Sequence, residues 1–313
     1  RDRSPSRGLG DVYKRQEYVI TKQDFAKWCS IPVDDLASIH GKKMDIHIHD
    51  EKKDVFLEAA DMMADEVIAN NLAGKPTRWV LATGPNEQFD RFIERVNTER
   101  ISLKNVYVFT MDAPLDWEGR LYPETNFRFN VKRKMEKWFY EPVDEELRVP
   151  EDHRFYPDPF DPDRIDNKID ELGGIDTVFG GVGCKGLVAA CEDPRGRCFR
   201  ITVDEYARSK TRVVWSNDDT TVAYAERSFG GCYDALPPMM VTIGMKSMLQ
   251  AKRAVFMITT GSWKQTVIRV CLFSEPTVEY PVTLFPAYVP ECIICCDRKT
   301  ADHTIAHNPY QKD

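Results

Sequence analysis

Residues 175–194 read IDTVFGGVGCKGLVAACEDP. Ile175 to Phe179 is a short apolar run of strand type, and it ends on glycines at 180, 181, 183 and 186. Glycine at this density permits positive φ and lets backbone amides approach a ligand closely. The spacing is not G-x-G-x-x-G, and Leu187-Val188-Ala189-Ala190 does not clearly open a helix, so the dinucleotide fingerprint is excluded. On its own residues the loop reads either as a ligand cradle or as a tight turn at a strand end.

Outward from this loop, strand-like runs alternate with amphipathic stretches, the pattern of βαβ units around a mainly parallel sheet. Met44 to His49 alternates sides, and Lys52 to Leu72 repeats Val55, Phe56, Ala59, Met62, Met63, Val67 and Ile68 at helical spacing. Trp79 to Ala82 reads as a strand, followed by a helix from about Asn86 to Asn97, and Val106 to Phe109 as the next strand. Glu141 to Arg164, rich in Pro and Asp, reads as a long surface connection, and Asp163 to Leu172 as a helix. Pro238 to Ile243 and Ala254 to Thr259 read as strands, with Met245 to Leu249 helical between them. Gly261-Ser262 opens a helix from Trp263 to Phe273, and Pro281 to Tyr288 with Cys292 to Cys296 read as the strands that close the sheet. In open parallel sheets ligands bind beyond the carboxyl ends of the strands, which selects the loops Thr83-Gly84, Met111-Asp112 and Gly180 to Gly186.

The 313 residues carry a net charge of -7, so clustered positive charge for a nucleic-acid or anionic-membrane partner is not expected. No apolar run reaches the roughly 18 to 20 residues of a membrane span. Nine scattered cysteines read as reduced core residues of a cytoplasmic protein rather than a disulfide framework. The first sixteen residues, RDRSPSRGLGDVYKRQ, are basic, lack the apolar core of a signal peptide and read as a non-native extension. Residues 17–313 are then expected to form a single domain.

Gly180 to Pro194, GGVGCKGLVAACEDP, resembles the GGVG-x-D-G-H-I-A-F-N-E-P loop of the glucosamine-6-phosphate deaminase/isomerase family. Thr110-Met111-Asp112-Ala113-Pro114 resembles the family's N-M-D-E-Y, Pro123-Glu124-Thr125 its P-E-S, and Gly261-Ser262-Trp263-Lys264-Gln265 its G-S-x-K-A. Order, spacing and flanking strands agree from about Arg78 to Asp297. The resemblance implies a three-layer, Rossmann-like α/β fold, a mainly parallel sheet with helices on both faces. It also implies chemistry on a phosphorylated sugar, with no cofactor and no metal.

By this resemblance Asp112 is the base that moves a proton between sugar C2 and C1, and Thr83, Gly84 and Lys264 hold the phosphate. Gly181 and Gly183 let the loop backbone approach the ligand. Glu192 matches the glutamate that pairs with the family's ring-opening histidine, although Asp193 is inserted before Pro194. Lys185 stands where the family has aspartate, and is a candidate to stabilise an enediolate oxygen. Leu187 stands where the family has that histidine, and a hydrocarbon can neither donate nor accept a proton. The family's phosphate-binding arginine falls on Asn217. The expected partner is a small sugar phosphate, with homo-oligomer formation open. A catalytically silent sugar-phosphate-binding protein and a 6-phosphogluconolactonase-like hydrolase are the alternative readings.

Two further constellations read as structural. His47 and His49 share a strand face and could ligate a metal, but no histidine spacing supplies a third ligand. Cys292 to Cys296 contains C-x-x-C without a partner pair, and reads as a buried strand.

Overall fold

The structure is a computed structural model and describes residues 19–195 and 200–307. The basic extension read at residues 1–16 lies outside them. Seven strands form one parallel sheet: β1 (Asp45–His49), β2 (Thr77–Leu81), β3 (Val106–Thr110), β5 (Arg154–Phe155), β6 (Thr177–Gly180), β9 (Arg253–Ile258) and β10 (Glu291–Asp297). Their order is β1-β10-β9-β6-β2-β3-β5. β2, β6, β9 and β10 are almost continuously buried, as strands covered on both faces must be.

Alternation along each strand divides the core into two layers. Trp79, Leu81, Val255, Met257, Ile293 and Cys295 pack on one face with the helix Lys52–Leu72. Val80, Val178, Ala254, Phe256, Ile294 and Cys296 pack on the other with the helix Gln265–Phe273. The fold is therefore the expected three-layer α/β sandwich. From β2 the chain builds outward to β3 and β5, then returns to lay β6 on the opposite side of β2 before adding β9 and β10. The crevice at this reversal lies between the loops that leave β2 and β6.

A second, antiparallel sheet stands beside the first. It is formed by β4 (Asp112–Leu115), β8 (Met239–Thr242) and β7 (Arg212–Trp215), in the order β4-β8-β7. The Pro238 to Ile243 strand thus exists but belongs to this sheet, paired through Asp112↔Thr242 and Arg212↔Thr242.

Two expectations are corrected. Pro281 to Tyr288 is a 3-10 turn (Pro281–Leu284) followed by a short helix (Phe285–Tyr288), because Pro281 and Pro286 lack the N–H groups a central strand needs. Glu141 to Arg164 is more than a surface connection. It buries Val143, Leu147 and Val149 and contributes edge strand β5, held where Arg154 donates to both Glu136 oxygens and to the Val149 carbonyl.

Asp166, buried in the helix Asp163–Glu171, fastens the second sheet to the body. It accepts from the Thr211 amide (2.8 Å) and hydroxyl (2.9 Å) at the start of β7, and from Ser247 Oγ (2.5 Å). Asp166→Ala would strand three buried donors, each costing about 1–3 kcal/mol when nothing replaces the acceptor. We expect a loss of about 2–4 kcal/mol and an apparent Tm lowered by about 5–10 °C in calorimetry. An unchanged Tm would contradict this anchoring.

Candidate functional site

A cavity of about 660 Å³ opens at the reversal point. Its walls come from the loop after β2 (Ala82 to Glu87), the β3–β4 junction (Met111, Asp112) and the glycine loop (Gly181 to Cys184, Leu187, Ala189). The end of β9 (Met257 to Thr260) with Trp263 and Lys264 completes one side, and the helix Asp218–Phe229 the other through Thr220, Tyr224 and Arg227. Six sequence-selected residues, Asp112, Thr83, Gly84, Gly181, Gly183 and Lys264, line this one space.

Asp112 begins β4, directly after the chain leaves β3. Burial raises its carboxyl to about 6, against the opposing field of the Lys134 ammonium, which also lines the cavity. A carboxylate so placed is ionised at neutral pH yet basic enough to take a proton from carbon.

Lys264 ends the 3-10 turn Gly261–Lys264 and donates to the Val182 carbonyl. Burial lowers its ammonium to about 8, and the Arg227 guanidinium pushes the same way. An anion placed between Lys264 and Arg227 would relieve the repulsion that Lys264 feels. The helix read from Trp263 is thus preceded by this 3-10 turn. The helix itself starts only at Gln265, and the Gly261 amide is spent on Thr300 Oγ1 at 2.8 Å.

Lys185 and Glu192 do not line the cavity. Lys185 turns away to Glu279 (3.5 Å) and lies 4.3 Å over the Tyr280 ring, so no geometry connects it to an enediolate. Glu192 accepts from the Asn217 amide (2.8 Å), and burial raises its carboxyl to about 7. It thereby holds the start of the helix Asp218–Phe229 instead of facing a ligand. Asn217 points away as well, its amide donating to the Asp193 carboxylate at 2.7 Å. A cation that does line the cavity is Arg227, ten residues on. The helix carrying it hides in the sequence because Thr220, Thr221 and Val222 are weak helix formers.

Leu187 folds over Gly183, whose missing Cβ would lie 2.4 Å from the leucine side chain. The Gly183 amide donates to the Leu187 carbonyl at 2.8 Å, so a hydrocarbon occupies the cavity wall. Among the described residues no helix is long and apolar enough to cross a membrane.

Fold and site together define a doubly wound α/β protein with a pocket at its reversal point lined by Asp112, Lys134, Arg227 and Lys264. No family model matches the chain. It is 26% identical over 251 residues to a glucosamine-6-phosphate deaminase of Bacillus pumilus, covering 77% of this chain and 92% of that one. It is 27% identical over 240 residues to the enzyme of Cronobacter sakazakii, covering 73% and 80%. Among solved structures it superposes on a monomeric glucosamine-6-phosphate deaminase with a TM-score of 0.69 at 20% identity, over 82% of this chain and 99% of that one. A 6-phosphogluconolactonase of Leishmania guyanensis shares the fold with a TM-score of 0.56 at 15% identity, over 83% and 98%. The chain is thus a divergent relative of the glucosamine-6-phosphate deaminases, similar to them over about three quarters of its length.

The glycines of the two loops, after β2 and after β6, are not equivalent. Gly186 has φ +74, and a Cβ there would meet the Tyr280 backbone at 2.9 Å, whereas one at Gly84 would meet nothing within 4 Å. Left-handed strain of about 1–2 kcal/mol plus the clash should cost Gly186→Ala about 2–4 kcal/mol. Gly84→Ala should stay within about 0.5–1 kcal/mol of the parent in urea unfolding. Equal losses in the two variants would contradict the assigned geometry.

Proposed function

We propose that the chain is an isomerase/deaminase-type enzyme for a phosphorylated amino sugar, working by proton transfer between C2 and C1. The observation that carries this reading is one cavity holding a carboxylate raised to about 6 at Asp112 and paired cations at Lys264 and Arg227. Lys264 and Arg227, with the Thr83-Gly84 loop, take the phosphate. Asp112, ionised, removes the C2 proton of the open-chain amino aldehyde and returns it to C1, while a proton passes from nitrogen to the aldehyde oxygen, so that C1 becomes an alcohol and C2 an imine. Water then adds to the resulting C2 imine, releasing ammonia and leaving the 2-keto sugar phosphate. The amine is replaced by a carbonyl oxygen from water, and no redox partner is needed.

Ring opening lacks a proton carrier, because Leu187 fills the wall where one would stand. The open-chain fraction present in solution is then the substrate, and turnover is slow. The same leucine favours the second reading, a sugar-phosphate-binding protein without turnover.

A coupled assay for ammonium and fructose 6-phosphate from glucosamine 6-phosphate separates the two. Asp112→Asn should lower kcat by about 10²–10⁴, and Leu187→His should raise it. Calorimetric binding without turnover above Asp112→Asn would select the silent protein, and absence of binding would sink both readings.

The pH profile has a definite sign. Asp112 must be deprotonated, so kcat/KM rises as pH passes about 6, and Lys264 must be protonated, so it falls above about 8. Lys264→Met and Arg227→Met should each weaken sugar-phosphate binding by about tenfold or more, as loss of a charge-assisted hydrogen bond does. Binding of unphosphorylated glucosamine should not change. A flat profile, or equal effects on both sugars, would contradict the assigned roles.

A further inference from the structure

On the helix-covered face of edge strand β1, outside the cavity, four side chains converge that the sugar-phosphate reading does not use. His47 Nδ1 lies 2.6 Å from Glu58 Oε1, and His49 Nε2 lies 2.7 Å from Glu58 Oε2. Cys295 is the register partner of His47 on β10 and is fully buried. The ligand atoms of His47, Glu58 and Cys295 lie within 4.8 Å of one another. None of the four residues lines the cavity.

We propose that His47, Glu58 and Cys295 bind a divalent transition-metal ion of zinc type, with His49 as the positioning residue that holds the Glu58 carboxylate. The donor set, one imidazole nitrogen, one carboxylate oxygen and one sulfur, suits a borderline-soft ion and not Mg²⁺ or Ca²⁺. Bonds of about 2.0–2.3 Å put tetrahedral donors roughly 3.3–3.8 Å apart, so the group accommodates an ion with shifts of about an ångström. Binding releases the Cys295 thiol proton to water. Thiolate and carboxylate then balance the 2+ charge inside a wall of low polarity, and the imidazole of His47 adds none. The His47 side chain is 41% exposed, which leaves an entry path and a fourth position for water. The ion would clip β1 to β10 and to the helix Lys52–Leu72, at an edge where, among the described residues, β10 is the strand paired with β1. Sequence spacing concealed the group: the second ligand is a glutamate on a helix and the third is a cysteine almost at the other end of the chain.

The test uses the full chain, stripped with EDTA and titrated with Co²⁺ alone and with Zn²⁺ alone. One equivalent of Co²⁺ should give tetrahedral ligand-field bands and a near-ultraviolet thiolate-to-cobalt band, and Zn²⁺ should displace it and raise Tm. Cys295→Ser should lose the thiolate band, and the exposed Cys232→Ser should keep it. His47→Gln should weaken Co²⁺ binding at least tenfold, and it keeps the test decisive if Cys295→Ser does not fold. His49→Gln should weaken binding by about 10–100-fold, the usual effect of removing an outer-shell partner. Absence of both bands and of a Tm shift in the parent would overturn the proposal, as would undiminished binding in His47→Gln.

Discussion

The parallel pairing of β2 with β6, through Trp79↔Thr177, Val80↔Val178 and Leu81↔Phe179, is the constraint on which the rest of the molecule depends. The chain reaches this pairing only after building β3 and β5 on the far side of β2, so the two strands end side by side while their loops diverge. Backbone from Ala82 onward and from Gly180 onward must then frame a crevice. Gly180 sits where any Cβ would lie 2.5 Å from Met111 Cε, which keeps the β6 end tight against the residue that precedes Asp112. Buried Asp176, at the foot of β6, reinforces the pairing by accepting from the Arg78 amide and guanidinium at 2.8–2.9 Å. Fold and pocket are therefore consequences of one strand order.

Within that crevice the electrostatics are held out of balance. Burial raises the Asp112 carboxyl and lowers the Lys264 ammonium, so each sits closer to neutral pH than it would in water. Both shifts signal free energy that a bound anion and a reacting carbon–hydrogen bond could recover. The second sheet contributes to this arrangement, because Asp112 is its first residue and is placed by antiparallel pairing to Thr242. Leu187 is the contrary element. It packs well against Gly183, and that packing is apolar where proton transfer would need a titratable group.

Much of the parallel sheet was legible in the sequence because its strands are short apolar runs and the helix Lys52–Leu72 has a regular buried face. The glycine loop and Asp112 were legible through their position at strand ends. The second sheet was not, since β7 alternates weakly and β4 contains Pro114. Arg227 was missed for a related reason: it lies on a helix of β-branched and polar residues whose start is fixed by Glu192, a contact made across 25 residues. Lys185 misled because loop sequence does not reveal that Glu279 and Tyr280, almost a hundred residues later, draw its ammonium away. Pro281 to Tyr288 misled because an apolar run of that length is equally a buried turn or a buried strand.

Proton exchange at carbon 1 of fructose 6-phosphate in D₂O, followed by ¹H NMR, tests Asp112 without requiring ring opening, because the open-chain ketose is present in solution. Deuterium should enter at C1 with the parent protein and not with Asp112→Asn, and should enter faster as pH rises through about 6. Bound fructose 6-phosphate with no exchange above the Asp112→Asn background would contradict a catalytic base at this position.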